Sequence, residues 1–126
     1  MKIDFVYKIF PTIIIYKSWG VKKKFAGTTY GPVIFIREEY RNDKALLEHE
    51  KTHAKQWYRT LSLHSILYMA SKRYRLEAEV EAYKKTMEVN GYVNEYQYEW
   101  IVDTLRNNYG LEVSREEILK KLNTRE

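Results

Sequence analysis

The chain has 126 residues, of which 44% are hydrophobic and 31% charged, and its formal net charge at pH 7 is +5. This length and balance fit one globular domain over residues 1–126 and leave too little chain for two. Because it has no cysteine, disulfides and thiolate metal sites are excluded. Lys8 and Pro11 interrupt the N-terminal apolar residues, and the later apolar run over residues 60–70 is too short for a bilayer. We therefore expect a soluble protein with no signal peptide and no membrane segment.

Positive charge is concentrated near the N-terminus, where Asp4 is the one acid among six lysines in the first 24 residues. Such a patch suits nucleic acid or an acidic partner. Solvated lysines that protect a sheet edge are the simpler interpretation, which we favour. Since no recognised nucleic-acid motif accompanies the lysines, a nucleic-acid partner is the weaker alternative.

The first third of the chain has the pattern of β-strands. Ile3, Phe5, Tyr7 and Ile9 alternate with mostly polar residues, which predicts a strand whose buried face carries these four side chains. Pro11 ends this pattern. Further strands are predicted over Ile13–Tyr16, Val21–Phe25 and Val33–Ile36, with turn residues over Gly27–Pro32.

After Arg37 the pattern becomes helical. Asn42 or Asp43 is the expected N-cap of a first helix, which is followed by a second over about Leu61–Ala70 that we interpret as a central core helix. Three more are predicted: Tyr74–Val89 closed by Gly91, one around Tyr98–Leu105, and one from Ser114 with Glu117 completing a capping box. The predicted fold class is α+β, a small N-terminal sheet followed by a helical bundle.

The first helix carries the motif His49-Glu50-x-x-His53. Residues four apart share one face of a helix, so His49 and His53 can hold one metal ion together. Zinc bound in this way lowers the pKa of its water from about 16 to about 7, and Glu50 is placed to act as general base on that water. The chemistry indicated is hydrolysis, most often of a peptide bond.

A third zinc ligand is needed, and Glu79 is the strongest candidate. It falls about 60° from the centre of an apolar helix stripe, where a carboxylate is costly unless a cation or a salt bridge compensates it. The alternative is a salt bridge from Glu79 to Arg59 or Arg73. Glu77 and Glu81 are interpreted as surface charges, with Glu81 paired to Lys85. His64, the other histidine of the chain, is interpreted as a hydrogen-bonded structural residue.

His49-Glu50-x-x-His53 followed by Glu79-x-x-Ala82 resembles the gluzincin branch of the zincin metallopeptidases and is similar to small metallopeptidase-like proteins of bacteriophages. The resemblance implies a minimal zincin-like fold with Zn²⁺ on His49, His53 and Glu79 and with Glu50 as the catalytic base. It also implies a protein or peptide substrate that pairs with the edge strand Val33–Ile36, and a location in the host cytoplasm or on the virion. Tyr83 stands where larger gluzincins often carry an aspartate; it could stabilise the oxyanion or belong to the core.

Three functions follow from these observations. The leading hypothesis is a single-domain zinc metallopeptidase that cleaves a protein or peptide. The alternative is a non-catalytic phage structural or binding protein that keeps a zincin-like fold. In a third hypothesis the lysines guide the protease to proteins bound on DNA.

Overall fold

Four strands near the N-terminus form one mixed sheet in the computed structural model, which describes residues 1–91 and 94–123. The strands are β1 (Lys2–Val6), β2 (Phe10–Tyr16), β3 (Gly27–Tyr30) and β4 (Val33–Ile36). Their order across the sheet is β1-β2-β4-β3; β2 and β4 run parallel, and the other two neighbouring pairs are antiparallel. The edges of the sheet are therefore β1 and β3, and β4 is internal.

In the described residues a short 3-10 helix (Glu38–Tyr40) and five α-helices follow the sheet, so the predicted α+β class is confirmed. The α-helices are α1 (Lys44–Arg59), α2 (His64–Ala70), α3 (Lys72–Asn90), α4 (Glu95–Asn107) and α5 (Arg115–Asn123). Asp43 is the N-cap of α1, since its side chain accepts a hydrogen bond from the Leu46 backbone N–H. None of the helices in the described ranges is both long enough and apolar enough to cross a bilayer.

The core has two parts, and α1 packs between them against the sheet on one side and α3 on the other. The part between α1 and the sheet is built from buried aliphatic residues: Val6, Ile14, Ile34, Ile36 and Ala54. The part among α3, α4 and α5 is larger: Leu76, Val80, Tyr83, Ile101, Val102, Leu105, Leu111, Ile118 and Leu122. Because α1 lies between the sheet and α3, its motif residues lie where the sheet and the helices meet.

The prediction for the buried face of β1 is wrong. Ile3 and Phe5 are 59% and 50% exposed, whereas Val6 is 1% exposed. The cause is register: Ile3 and Phe5 lie opposite Ile13 and Pro11, on the face of the sheet away from the helices, here called the outer face. The helices cover only one face of the sheet. The alternation of apolar and polar residues within β1 could not show which of its two faces the helices would cover.

The prediction for residues 21–32 is also corrected. Val21–Phe25 forms a loop, whose carbonyls at Val21, Lys22 and Phe25 accept hydrogen bonds from the Arg37 guanidinium. The strand follows it at Gly27–Tyr30, because the β-branched Thr28 and Thr29 pair with β4. The turn is confined to Gly31 and Pro32, with Gly31 in the left-handed region at φ +62°.

Helix α2 is not a central core helix. It has seven residues, and its apolar side chains face solvent, with Ile66 65% and Met69 81% exposed. Its inward face carries His64 and Tyr68, which contact polar groups of α3. The apolar spacing alone did not distinguish a core helix from one that presents polar groups to a site.

Candidate metal centre

Helix α1 brings the two motif histidines onto one buried face. His49 and His53 are 5% and 7% exposed, and their ring centroids lie 5.1 Å apart. One helical turn separates them, so both rings project in the same direction from α1. Glu50, at 4% exposure, lies beside them.

Glu79 approaches this pair from α3. Its Oε1 lies 3.2 Å from His53 Nε2 and 3.6 Å from His49 Nε2, and the residue is 3% exposed. The three ligand atoms lie within 4.8 Å of one another, and this buried group can hold a metal ion. The salt bridge proposed as an alternative for Glu79 is not formed, because Arg59 pairs with Glu81 instead.

Hydrogen bonds on the far side of each ring set the tautomer of both histidines. His53 Nδ1 lies 2.9 Å from Gln56 Oε1, while Gln56 Nε2 donates to the Ala78 carbonyl and to Glu81. His49 Nδ1 lies 3.2 Å from Thr86 Oγ1, whose proton goes to the Ala82 carbonyl. Both Nδ1 atoms are therefore the protonated ones in the neutral rings, and both Nε2 atoms direct a lone pair at Glu79.

When both rings are neutral, the centre of the site thus contains three acceptors and no donor. Glu79 Oε1 is buried and, within the described residues, has no hydrogen-bond partner of good geometry. Burial disfavours a charged imidazole, but the Glu79 carboxylate outweighs it and raises the pKa of His53 to about 9. Burial also opposes the Glu79 charge, yet the histidines hold its pKa well below its usual range. A bound cation, whether a proton or a metal ion, resolves this repulsion.

Helix α2 supports the other side of the Glu79 carboxylate. Tyr68 donates its hydroxyl proton to Glu79 Oε2, which orients Oε1 toward the histidines. His64 Nδ1 lies 2.7 Å from the Tyr74 hydroxyl, and His64 is not part of the group that can hold a metal within the described residues. Burial, together with the charge of His53, lowers the pKa of His64 to about 4, so this ring is neutral at pH 7.

Glu50 is held next to the metal ligands by the edge strand of the sheet. Its Oε1 accepts a hydrogen bond of 2.7 Å from the Thr29 hydroxyl on β3, and its Oε2 lies 4.0 Å from His49 Nε2. The hydrogen bond fixes one carboxylate oxygen and leaves the other facing the site. This is the position that a general base needs beside a metal.

An open cleft of about 620 Å³ gives access to the site. Its walls come from β3, the loop before β3, α2, the start of α3 and the residues after α4: Lys22, Lys24, Phe25, Gly27, Thr28, Thr29, Tyr30, His64, Ser65, Tyr68, Met69, Arg75, Asn108, Tyr109 and Gly110. Tyr83 packs in the helical core, with its hydroxyl 2.8 Å from that of Tyr109. The Tyr83 ring also contacts the His49 ring, with 4.4 Å between their centroids. Core packing of Tyr83 is therefore shown, and its role at the oxyanion stays a prediction.

The strand expected at the edge of the sheet is a different one. Val33–Ile36 (β4) is paired on both sides, whereas β3 is paired on one side and borders the cleft with the other. The supporting contacts of Gln56, Thr86 and Tyr68 were not predicted from the sequence. Gln56 had a detectable signal, since an amide three residues after His53 lies on the same buried face of the helix.

Comparison with protein-family models, with curated protein sequences and with solved structures gives no match to this chain.

Proposed function

We propose that the protein is a zinc-dependent metallopeptidase that uses Glu50 as its general base. The observation that carries the proposal is the convergence of Glu79 Oε1 with the Nε2 atoms of His49 and His53 at a buried position, where a cation is needed to bring three acceptors together. Three protein ligands with an accessible fourth side are typical of catalytic zinc rather than structural zinc. Here the fourth side is the cleft.

Zinc is the metal favoured by the donors. Two imidazole nitrogens and one carboxylate oxygen suit zinc, and calcium and magnesium prefer oxygen ligands alone. Ligands at about 2.05 Å in a tetrahedral site are about 3.3 Å apart. The separations of Glu79 Oε1 from the two Nε2 atoms, 3.2 and 3.6 Å, are close to this value. The three ligand atoms together lie within 4.8 Å of one another, so a bound zinc would draw the two rings closer together.

Each reactive role has a residue in position. Zinc held by His49, His53 and Glu79 would supply a Lewis acid and make an attacking water more acidic. Glu50 takes the proton of that water through its free oxygen and delivers it to the leaving amine, while Thr29 keeps the carboxylate in place. The unpaired side of β3 offers backbone donors and acceptors to an extended peptide, which makes a polypeptide the substrate.

Metal content and proteolysis measured together test the proposal. We expect the purified protein to contain one zinc per chain and to cleave an unfolded protein such as reduced casein. Glu50→Gln should keep the zinc, since Glu50 is not a ligand, but should lower cleavage by about 10²–10⁴-fold. Glu79→Gln should lose both the cleavage activity and the zinc.

The matched control is Glu77→Gln. Glu77 lies two residues before Glu79 on the same helix, and its carboxylate pairs with Lys121 and not with the site. This variant should keep both zinc and activity. Zinc-free wild-type protein that still cleaves, or Glu50→Gln with wild-type activity, would contradict the proposal.

One observation favours the non-catalytic alternative, a phage structural or binding protein. The outer face of the sheet leaves large apolar side chains exposed, including Trp19 at 76% and Phe5 at 50%. Exposed apolar surfaces of this kind often contact a partner. Under this alternative the protein would use zinc structurally or not at all, and the wild-type protein would show no proteolysis that Glu50→Gln removes.

A further inference from the structure

Three cationic side chains line the cleft beside the metal centre: Lys22, Lys24 and Arg75. Among the described residues, the carboxylates that line the same cleft are Glu50 and Glu79, and both belong to the centre itself. A zinc ion of charge +2 would balance these two carboxylates. The remaining charge of the cleft walls would then be that of the three cations.

The positive charge of this wall is not neutralised by its protein contacts. Arg75 donates to the carbonyls of Tyr68, Tyr109 and Met69, and Lys24 Nζ donates to the carbonyl of Asn108 at 2.8 Å. Carbonyls orient these side chains but carry no net charge. Within residues 1–91 and 94–123, no ion pair involves Arg75, Lys22 or Lys24.

The loop that carries the two lysines is held in place by the fold. The Arg37 side chain donates to the carbonyls of Phe25 at 2.8 Å and Lys22 at 2.9 Å, and the Arg37 backbone N–H donates to the carbonyl of Ala26. The loop therefore presents its lysines at the cleft before any ligand arrives. A cleft lined by one sign of charge raises the local concentration of oppositely charged ligands.

We propose that the cleft selects acidic peptide segments, with Asp or Glu side chains of the substrate lying against Lys22, Lys24 and Arg75. This inference rests on the proposed function and adds the substrate class. The partner is a polypeptide and not a nucleic acid because the unpaired edge of β3 borders the same cleft, and its backbone groups match those of an extended peptide.

Peptide binding to the zinc-loaded Glu50→Gln variant tests the inference without turnover. The probes are a fluorescent peptide rich in glutamate and the same peptide with glutamine at those positions, compared by anisotropy. We expect the acidic peptide to bind about tenfold more tightly or better at low salt, with the difference shrinking as salt is added.

Lysine-to-alanine variants of the same protein show whether the preference for the acidic peptide comes from the cleft. Lys22→Ala with Lys24→Ala should remove most of the preference. Lys2→Ala with Lys17→Ala, two lysines that line no part of the cleft, changes the net charge equally and should keep it. The inference is overturned if the two peptides bind with equal affinity, or if the two double variants lose affinity for the acidic peptide equally. It is also overturned if a single-stranded oligonucleotide displaces the labelled acidic peptide more strongly than unlabelled acidic peptide does.

These results separate the two proposals. Cleavage that depends on Glu50 but shows no acidic preference overturns the substrate class alone. Lysine-dependent binding of the acidic peptide without any cleavage by the wild-type protein supports the substrate class and contradicts the peptidase.

Discussion

Replacement of Gln56 by methionine tests whether the site depends on the orientation of His53. Gln56 is 1% exposed, and its amide connects the His53 ring to the Ala78 carbonyl and to Glu81. Methionine has nearly the same length and fills the same space. The substitution therefore removes hydrogen bonds while it leaves the packing largely unchanged.

The expected losses follow from the bonds removed. Loss of the partner of a ligand histidine typically lowers metal affinity by about 10–100-fold, equivalent to about 1.4–2.7 kcal/mol. In the metal-free protein, His53 Nδ1–H and the Ala78 carbonyl would both lose a partner of 2.9 Å in a buried position. At about 1–3 kcal/mol for each of the two groups, the free energy of unfolding should fall by about 2–6 kcal/mol.

Competition against a chromophoric zinc chelator measures the affinity, and urea unfolding in a chelator measures the stability. Thr86→Val is the matched variant for His49: its bond is longer, at 3.2 Å, and Thr86 is half-buried, so water can replace it. We expect its affinity loss to stay under about tenfold. Wild-type zinc affinity in folded Gln56→Met, or a larger loss in Thr86→Val, would refute the reasoning.

Three further outcomes are expected. Burial lowers the pKa of His53, but the Glu79 carboxylate outweighs burial and raises this pKa to about 9. Because zinc must displace the His53 proton, the apparent zinc affinity should rise about tenfold per pH unit from pH 7 towards 9. Calorimetry should then detect the release of about one proton per zinc bound. Burial lowers the pKa of His64 to about 4 from 6.5, so the stability present above pH 6.5 should be lost as the pH falls through 4. In urea titrations with chelator this loss should be about 1–2 kcal/mol, and His64→Gln should reduce it. Gly31→Ala should lose about 1–2 kcal/mol in thermal unfolding, because the residue has φ +62° and the added Cβ would lie 3.3 Å from the Trp57 ring.

Much of the site could be predicted from local rules. The spacing of His49 and His53 places them on one helix face at any position in the fold, because helical periodicity is a property of the backbone. The direction of Glu79 towards the interior followed from the apolar stripe of its own helix. The contacts that orient these residues could not be predicted, since Gln56 and Tyr68 acquire their partners only when α1, α2 and α3 pack together.

In the sheet, too, the positions of the strands could be predicted from the sequence, whereas their arrangement could not. The periods of the apolar residues determined that strands precede helices, and they placed β2 and β4 close to their true positions in the chain. Strand order and the covered face were decided by pairing between distant segments: β4 adds in parallel to β2, which leaves β3 at the edge beside Glu50.

The sequence by itself therefore determined that helices follow the strands, that His49 and His53 share a helix face with Glu50 beside them, and that one carboxylate of α3 is turned inward. Only the tertiary structure decided that Glu79 meets the two rings, that β3 and not β4 borders the cleft, and that uncompensated lysines line it. The physical reason is that helical faces follow from hydrogen bonds four residues apart, whereas these encounters depend on the packing of segments tens of residues apart in the chain.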